Sequence, residues 1–427
     1  MHSNKSYDII VIGAGPAGIM AAGRASMLGA KVVILEKMEK PARKLRITGK
    51  GRCNITNMRP FNEFIQEITP NPRFLNKAFG VFFNKHIVEI LEGMGVKTVT
   101  ERGQRVFPAS GKAWDVADAL VKWAKKQGVE IINHSPVAEI IVDNGTVKGV
   151  RLEDLSEILS SAIIIATGGK SYPATGSTGD GYRFAEQMGH SVTELRPSLT
   201  GIETQPSFPQ LNGLNLRNVN ASLYIDGHKA AEEFGEVEFT EYGVDGPCIL
   251  RLSLKAIDAF KSGNKVNLSI DLKPALDNEK LLGRIERDAA KGKSYTINML
   301  LRDLLPSQLV SVFLRHLKLS SLRSANELST EEKHALIKML KGFNLAMKGH
   351  RDWNEAIVTA GGISLNEIES KTMASKLVNG LYFAGEIIDI SGNTGGYNLQ
   401  IAFSTGWLAG QAAAEKAKTL KQVQGDK

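Results

Sequence analysis

The chain opens with an apolar run that leads into closely spaced glycines and then into an alanine-rich segment. Residues 9–12 are all Ile or Val, which is typical of a parallel strand buried on both faces. The stretch YDIIVIGAGPAGIMAAGRASMLGAKVVILE, residues 7–36, therefore predicts a strand, a glycine turn, a helix and a second strand. This order of elements is the β-α-β unit that binds dinucleotides.

Three glycines and one acid carry the chemistry of this unit. Gly13 permits a tight turn, Gly15 lets the backbone approach a pyrophosphate, and Gly18 lets the helix pack closely against the strand. The helix N-terminus offers N–H groups and the positive end of its dipole to phosphates. Glu36 ends the second strand, where its carboxylate can accept hydrogen bonds from ribose hydroxyls. The unit by itself leaves NAD and FAD as alternatives.

Two later apolar runs also end in glycine. Residues 162–166 predict a strand that returns to the parallel sheet and ends in Thr-Gly-Gly, and GLYFAGE, residues 380–386, predicts another. Glycines at residues 392–396 then precede a final alanine-rich helix. The chain contains no second G-x-G-x-x-G after a strand, which argues against a separate NAD(P)H domain of the disulfide-reductase type.

The segments between these runs change character along the chain. Helical spacing at residues 72–94 and 115–127 predicts covering helices, and Asp143-Asn144-Gly145 predicts a hairpin turn. Short β-prone runs then give way to helical spacing, which indicates inserted lobes that we expect to cap the cofactor site. The predicted parts are a discontinuous domain of residues 1–190 and 351–427, a β-rich lobe of residues 191–275 and a helical lobe of residues 276–350.

Composition narrows the class of protein. The 427 residues, with 42% hydrophobic and 23% charged residues, are ordinary for two or three globular domains. Cys53 and Cys248 are too few and too far apart for a disulfide framework or a metal site, so a reducing cytoplasm is expected. MHSNKS leaves no room for a signal peptide before the first strand, and Arg24 and Lys31 interrupt the most apolar long window. We therefore expect a cytoplasmic protein without a membrane span.

The net charge of +8 is partly local. Between Lys37 and Arg59 stand eight basic residues and a single acid, Glu39. This loop, which lacks helical or strand periodicity, either neutralises a pyrophosphate or an anionic substrate, or is a solvated segment. Because the chain shows no aromatic-rich basic stripe, a nucleic-acid partner is not favoured.

Three motifs resemble one known family. ITGKGRCNITN, ATGGKSYPATGSTGDGY and TMASKLVNGLYFAGEIIDISGNTGGYNLQIAFSTGWLAG are similar to the YhiN/BaiN-type family of bacterial flavoproteins, which are NAD(P)/FAD-dependent oxidoreductases. The resemblance covers nearly the whole chain. It implies an α/β fold, with an FAD-binding Rossmann-like (two-dinucleotide-binding flavoprotein) domain made from both chain ends, an inserted β-barrel-like lobe and a helical lobe.

The same resemblance implies the cofactor site. The glycine turn lies along the pyrophosphate, Glu36 holds the ribose, Val137 lies by the adenine, and the C-terminal glycines meet the ribityl chain and the flavin. The implied FAD-binding residues are Gly13, Gly15, Pro16, Ala17, Gly18, Glu36, Lys37, Lys44, Gly49, Gly51, Arg52, Cys53, Asn54, Val137, Ala166, Thr167, Gly168, Gly385, Glu386, Gly396, Tyr397 and Asn398. Cys53 lacks a nearby partner thiol, so it is interpreted as a packing or flavin-neighbour residue.

The function implied is hydride transfer through N5 of noncovalent FAD, with NAD(P)H as transient donor and an activated C=C bond in a small organic substrate as acceptor. Arg52, Tyr242 and Tyr397 are the candidates for proton delivery. The family's insert loop often has the pattern Thr-His-x-Gly-x-Ser-Gly-Pro, whereas residues 240–247 are TEYGVDGP, which leaves this loop either functional or a simple turn. An FAD-dependent tRNA-modifying enzyme and a non-catalytic flavin protein are the alternatives, and the sequence predicts no particular oligomeric state.

Overall fold

The computed structural model describes residues 6–425 and divides into two compact units. The chain up to Pro197 and from Trp353 onward forms the first unit, and Ser198–Asp352 form the second.

Strands and helices alternate in the first unit, and a block of strands followed by a block of helices makes up most of the second. The strands are β1 Ser6–Ile12, β2 Val32–Leu35, β3 Thr56–Asn57, β4 Ile68–Thr69, β5 Thr98–Glu101, β6 Arg105–Pro108, β7 Glu130–Ile132, β8 Val137–Asp143, β9 Thr146–Leu152, β10 Glu157–Ile165, β11 Arg196–Ser198, β12 Ile202–Gln205, β13 Asn215–Ile225, β14 His228–Phe239, β15 Gly243–Asp245, β16 Val266–Asp271, β17 Phe343–His350, β18 Val358–Ala360, β19 Leu381–Phe383 and β20 Ser391–Gly392. The helices are α1 Pro16–Met27, α2 Arg43–Ile47, α3 Phe61–Phe64, α4 Asn76–Val81, α5 Asn84–Gly93, α6 Ala113–Lys126, α7 Asp180–Gln187, α8 Pro247–Lys261, α9 Asn278–Ala289, α10 Ile297–Leu304, α11 Ser307–His316, α12 Thr330–Lys341 and α13 Tyr397–Gly425.

A seven-stranded sheet forms the centre of the first unit, in the order β7-β2-β1-β10-β9-β8, with β19 also paired to β10. Strand β1 runs parallel to β2 and β10, and its Ile9 lies opposite Val32 on one side and Ala162 on the other. The first residues of β10 pair with β9, and its last residues pair with β19. The carboxyl ends of β1, β10 and β19 therefore meet at one edge of the sheet, as predicted for β1 and β10.

The two chain ends pack together through small residues. A Cβ atom added to Gly406 would lie 2.2 Å from the Ala17 carbonyl oxygen, and one added to Gly410 would lie 2.1 Å from the Ala21 oxygen. Only glycine leaves enough space for helices α1 and α13 to touch backbone to backbone. The first and last helices of the unit therefore share one core.

A closed barrel, β12-β15-β14-β13-β16-β17, forms the sheet of the second unit and confirms the predicted barrel-like lobe. Its interior and helices α8 to α12 contribute to one hydrophobic core. Along β16, Val266, Leu268 and Ile270 are buried, which is the period of two expected for a strand with one covered face.

Two segments have more regular structure than predicted. Residues 37–57 contain helix α2, in which Leu45 is buried, and strand β3, which pairs with β6. The Ala42 N–H, just before α2, donates to the Ala14 carbonyl oxygen at 2.9 Å. Five helical residues are too few to show periodicity in a sequence. The segment predicted as a helical lobe ends in strand β17, where Phe343, Leu345 and Met347 are buried. Residues 343–346 of this strand pair with β16.

Candidate cofactor and active site

The glycine turn between β1 and α1 is closed by backbone contacts. Gly13 has φ of +99°, and a Cβ there would lie 2.7 Å from the Ala166 carbonyl oxygen. A Cβ on Gly18 would lie 2.0 Å from the Gly13 oxygen. Helix α1 begins after Gly15 without a side-chain cap, with Pro16 and Ala17 as its first residues. Its first N–H groups therefore lack intrahelical acceptors and are available to an anion.

Glu36 lies beside this turn. Its Oε2 accepts a hydrogen bond from the Ala14 N–H at 2.8 Å, and its Oε1 accepts one from the Met38 N–H at 2.9 Å. Burial raises the pKa of Glu36 above its ordinary value, against the opposing effect of these two N–H groups. Because each oxygen has a second lone pair, the carboxylate can hold the turn and accept from a hydroxyl.

The next strand end adjoins the turn directly. The Ala166 N–H donates to the Ile12 oxygen at 2.9 Å. After Thr167 the chain turns at Gly168, which has φ of +76°, and a Cβ there would lie 2.8 Å from the Ser177 Oγ. These contacts place residues 166–168 next to the glycine turn, as their predicted role along the phosphates requires.

The end of β19 comes to the same place. Gly385 has φ of +82°, and its N–H donates to Thr405 Oγ1 at 2.9 Å. A Cβ on Gly385 would lie 2.8 Å from the Cβ of Ala17. Three segments distant in the chain, around Gly13, Ala166 and Gly385, therefore converge.

A partly buried polar cluster joins these strand ends to α2. Glu386 accepts hydrogen bonds from Lys44 Nζ at 2.9 Å, from Ser171 Oγ at 2.7 Å and from the Thr359 N–H at 2.8 Å. Burial alone would raise the pKa of Glu386, but Lys44 and these hydrogen bonds outweigh it, so the pKa lies below its ordinary value. Lys44 and Glu386, both predicted as cofactor residues, thus bind each other.

The loop after α2 is folded tightly around Cys53. Gly49 and Gly51 have φ of +59° and +84°, and the Cys53 N–H donates to the Thr48 oxygen at 3.0 Å. Cys53 is fully buried, and burial raises the pKa of its thiol to about 12. Both cysteines of the chain are free.

The glycines before α13 pack on this loop. Gly396 has φ of +94°, and a Cβ there would lie 2.5 Å from the Thr56 carbonyl oxygen. With its amide oriented to satisfy its neighbours, Asn54 accepts from the Gly396 N–H at 3.1 Å. Asn398 accepts from the Gly392 N–H at 2.8 Å and donates to the Gly392 oxygen at 2.6 Å. Asn54, Gly396 and Asn398, which are predicted cofactor residues, are therefore held in place by hydrogen bonds and close backbone packing.

Two further predicted cofactor residues lie near Glu36. Lys37 Nζ donates to Thr178 Oγ1 and Asp180 Oδ2, both at 2.5 Å, so it is tied to the start of α7. Val137 is buried at the start of β8. Two residues earlier, the Ser135 N–H donates to the backbone carbonyl oxygen of Glu36 at 2.9 Å. This contact brings the predicted adenine neighbour close to the predicted ribose ligand.

The three candidates for proton delivery have separate surroundings. Arg52 donates to Glu101 at 2.5 Å, and its guanidinium lies 4.3 Å from the Phe107 ring centre. Tyr397 is 2% exposed, and its ring packs edge-on against Phe64 at 4.7 Å.

Tyr242 belongs to the second unit. Its hydroxyl donates to Asp245 Oδ2 at 3.3 Å, and the Arg351 guanidinium lies 4.4 Å from its ring centre. The structure thus assigns each candidate its own partners, and Arg52 and Tyr397 remain in the same unit as the converging glycines.

Several residues of the site were not found from the sequence. Ser171 and Thr359 complete the Glu386 cluster, and Thr56 Oγ1 donates to the buried Gln400 at 2.7 Å. Of these residues Ser171 follows a glycine-rich strand end, that of β10, and this position is the signal that could have indicated it. Thr359 and Thr56 lie in strands β18 and β3, and Gln400 lies in α13, so they share no such signal. Ser171 and Thr359 are 188 residues apart, and Thr56 and Gln400 are 344 apart, which local patterns do not reveal.

Residues 6–425 contain neither a metal-binding cluster nor a helix that could span a membrane. No group of three or more His, Cys, Asp or Glu side chains there could hold a metal ion. Within the same residues, none of the helices combines the length and apolar character that crossing a bilayer requires.

The family follows from comparison with known proteins. The family model described as "HI0933-like protein Rossmann domain" matches residues 7–412. The chain belongs to the HI0933-like family. This confirms the resemblance to the YhiN/BaiN-type flavoproteins, and the chain is therefore an FAD-dependent oxidoreductase.

Three curated relatives of this HI0933-like flavoprotein match it over nearly their full lengths. The 3-dehydro-bile acid delta(4,6)-reductase of Clostridium scindens is 30% identical over 95% of the chain and 98% of the relative. The ribosomal RNA dihydrouridine synthase of Escherichia coli is 30% identical over 95% of the chain and 98% of the relative. The enzyme of the same name from Haemophilus influenzae is 30% identical over 93% and 96%.

The residues of the HI0933-like chain fit FAD. At Gly13, Gly18 and Gly385 any side chain would fill the space beside the turn, and the N-terminus of α1 is uncapped by a side chain. The Glu36 carboxylate lies beside these N–H groups. A pyrophosphate with an adjacent ribose matches this set of backbone donors and one carboxylate.

Proposed function

We propose that the chain reduces a carbon–carbon double bond conjugated to a carbonyl group. The support is what two relatives share, each 30% identical over 95% of the chain. One is named for reducing bile-acid double bonds and the other for forming dihydrouridine, which is uridine with its C5–C6 double bond saturated. Since these substrates differ in everything else, reduction of an activated C=C bond is the property most reasonably transferred.

When bound, FAD supplies a hydride through N5. The residues of the chain bind and orient the cofactor: the turn at Gly13 and Gly15 holds the pyrophosphate, Glu36 the ribose, and Val137 the adenine. Asn54 and Asn398 brace the glycines before α13, so that the N-terminus of this helix is held in a fixed position. Backbone N–H groups there would stabilise negative charge on a bound flavin ring.

The electron donor and the proton donor are part of the proposal. NAD(P)H would act as a transient donor, because the chain has one dinucleotide fingerprint, which FAD would occupy. Tyr242 and Tyr397 carry hydroxyl donors and Arg52 carries guanidinium N–H donors, and these three side chains are the candidates for delivering the proton. A cytoplasmic location agrees with two free, buried cysteines.

Spectroscopy tests the proposal directly. The purified protein is expected to show a flavin band that bleaches with NADH or NADPH under anaerobic conditions and returns when a cyclic enone is added. A colourless protein that cannot be reconstituted with FAD would overturn the cofactor assignment. A flavin that is reduced but is reoxidised neither by enones nor by uridine-containing RNA would refute C=C reduction alone.

Reduction of uracil in RNA is the second candidate. Two relatives are named ribosomal RNA dihydrouridine synthases, and the net charge is +8. This observation weighs against the sequence-based expectation that nucleic acid is not a partner. Incubation of the reduced protein with rRNA lacking dihydrouridine, followed by mass analysis of its nucleosides, would show uridine that has gained two hydrogen atoms.

A further inference from the structure

We propose that a groove on the second unit binds a single-stranded stretch of RNA. This rests on the RNA candidate of the proposed function and names the surface that would hold the strand. The groove has a volume of about 760 Å³. Its lining residues are Arg217, Asn218, Asn220, Phe234, Leu272, Lys273, Pro274, Ala275, Leu276 and Arg284.

The charge of the groove is of one sign. Of the residues that the structure describes, three cations and no acid line the groove. Arg284 is held by the Asp303 carbonyl oxygen at 3.0 Å and by Asp288 at 3.7 Å. The side chains of Arg217 and Lys273 make no hydrogen bond or ion pair within residues 6–425. Two cations without an internal partner, beside a third, form a site complementary to successive phosphates.

Lys273 and Arg284 are close enough to affect each other. Burial lowers the pKa of Lys273 below its ordinary value, and the nearby charge of Arg284 lowers it further. Bringing like charges together costs free energy, which a bound anion would recover. The arrangement is therefore what an anion-binding surface requires.

A β-bulge turns two polar side chains toward the groove. The register of β13 against β14 shifts between Leu216 and Val219, and Asn218 has φ of +55°. As a result Arg217 and Asn218 are both exposed, although successive residues of a regular strand point to opposite faces. Bulges of this kind re-aim side chains and are frequent beside functional sites.

An exposed aromatic ring supplies the second element of nucleic-acid recognition. Phe234 is 59% exposed and lies opposite Asn220 in the β13–β14 register. The side chains of Asn218 and Asn220 have no hydrogen-bond partner among the described residues. A base can stack on the ring while the amides bond its edge, and the cations follow the backbone. Because paired bases hide their faces, the surface suits a single strand.

Fluorescence anisotropy of the FAD-loaded protein with a labelled oligouridylate of about ten nucleotides tests this, since such surfaces cover about 4–16 nucleotides. Arg217→Gln/Lys273→Gln is expected to weaken binding and to reduce the slope of log affinity against log salt by about 1.4, which is about 0.7 for each cation on a single strand. Phe234→Ala removes the stacking ring and should weaken binding about tenfold. Flavin content and thermal unfolding check that each variant is folded.

The matched control is Lys265→Gln/Lys348→Gln, which removes the same charge from the same barrel. Both lysines are exposed. Lys265 directly precedes β16, whereas the groove residues Leu272 and Lys273 directly follow it. Strand β17 runs antiparallel to β16, so Lys348, near the end of β17, lies on the same side as Lys265 and away from the groove. The control should bind RNA almost as the unsubstituted protein does.

Three results would overturn the groove. The first is that the unsubstituted protein does not bind RNA. The second is that RNA affinity falls equally in the groove variant and in the control variant. The third is that the protein binds an RNA duplex with an affinity that Phe234→Ala does not change. Enone-dependent flavin reoxidation is measured in parallel, so loss of RNA binding with enone reduction intact separates failure of the groove from failure of the proposed function. RNA that binds in the groove without gaining hydrogen supports the surface and refutes only the RNA-reducing candidate.

Discussion

The ammonium of Lys44 and the carboxylate of Glu386 lie 2.9 Å apart, although 342 residues separate them in the chain. Lys44 belongs to α2 and Glu386 follows β19, so the pair joins an N-terminal loop to a C-terminal strand end. Ser171 bridges them, because it accepts from Lys44 and donates to Glu386. The ion pair therefore holds the glycine loop that we propose approaches the flavin.

Removing one partner of this pair should destabilise the protein. Lys44→Met removes the cation that pairs with Glu386, whose side chain is only about a fifth exposed. The change should lower the free energy of unfolding by about 1–3 kcal/mol. Lys44→Met/Glu386→Gln should cost less than the sum of the single changes. Urea unfolding of the FAD-loaded variants measures both.

The control for this cycle is an exposed ion pair. Arg151 lies within hydrogen-bond distance of Glu139 and Glu157, and all three side chains are at least 39% exposed. Arg151→Gln should change stability by less than about 0.5 kcal/mol. Equal effects of Arg151→Gln and Lys44→Met would contradict the role given to Lys44.

The same carboxylate predicts a pH dependence. The pKa of Glu386 is lower in the folded protein than in the unfolded chain, so its contribution to stability is complete above the unfolded value. It is lost as the pH falls below about 4.3 and through the folded pKa. The stability difference between the unsubstituted protein and Glu386→Gln should thus be constant at neutral pH and shrink in acid. A difference that grows as the pH falls would refute this.

Gly18→Ala tests the glycine turn. Its Cβ would lie 2.0 Å from the Gly13 oxygen, so the helix must shift away from the strand. We expect a loss of about 1–3 kcal/mol of stability together with loss of bound flavin on gel filtration. Gly80→Ala in α4 meets nothing within 4 Å and should be neutral or slightly stabilising. Retention of FAD by Gly18→Ala at normal affinity would show that the turn does not hold the pyrophosphate.

Neither cysteine should react in the folded protein. Burial raises the pKa of the Cys53 thiol to about 12 and that of Cys248 to about 11, so both are protonated at pH 8. An aromatic disulfide that releases a coloured thiolate should therefore detect two thiols in the protein unfolded in urea and almost none in the folded protein. Rapid reaction of one thiol in the native protein would reopen a redox role for Cys53.

Proton delivery is tested by three conservative changes. Tyr242→Phe, Tyr397→Phe and Arg52→Gln should each retain flavin reduction by NAD(P)H. Loss of the proton donor should lower the rate of flavin reoxidation by enone about 10²–10⁴-fold, as expected for a general acid. If all three variants reoxidise at the normal rate, the proton comes from another group.

The parts of the fold predicted best are those with continuous local patterns. β1, α1 and β2 follow from one apolar run, a glycine turn and a second run, and the end of β10 from an apolar run closed by glycine. Strand β17 is not predicted although its apolar residues Phe343, Leu345 and Met347 alternate, because it follows α12 directly and continues a segment with helical apolar spacing.

The polar partners of the site could not be predicted for a different reason. Ser171, Thr359 and Glu386 are brought together by tertiary packing, and the Gly169 position leaves the space for it, since a Cβ there would lie 2.3 Å from Thr359 Oγ1. The sequence shows the glycine but not which side chain fills the space beside it. The same holds for Thr56 and Gln400.

The backbone contact of Gly406 and Gly410 with α1 sets an order of events during synthesis. Helix α1 leaves the ribosome long before α13, which covers it and is made after every other element of the first unit that the structure describes. Until α13 is made, the small-residue face of α1 is uncovered. The proposed flavin site also lacks the glycines that directly precede α13. Cofactor capture should therefore require α13 to have been made, and nascent chains stalled before residue 397 should carry no flavin.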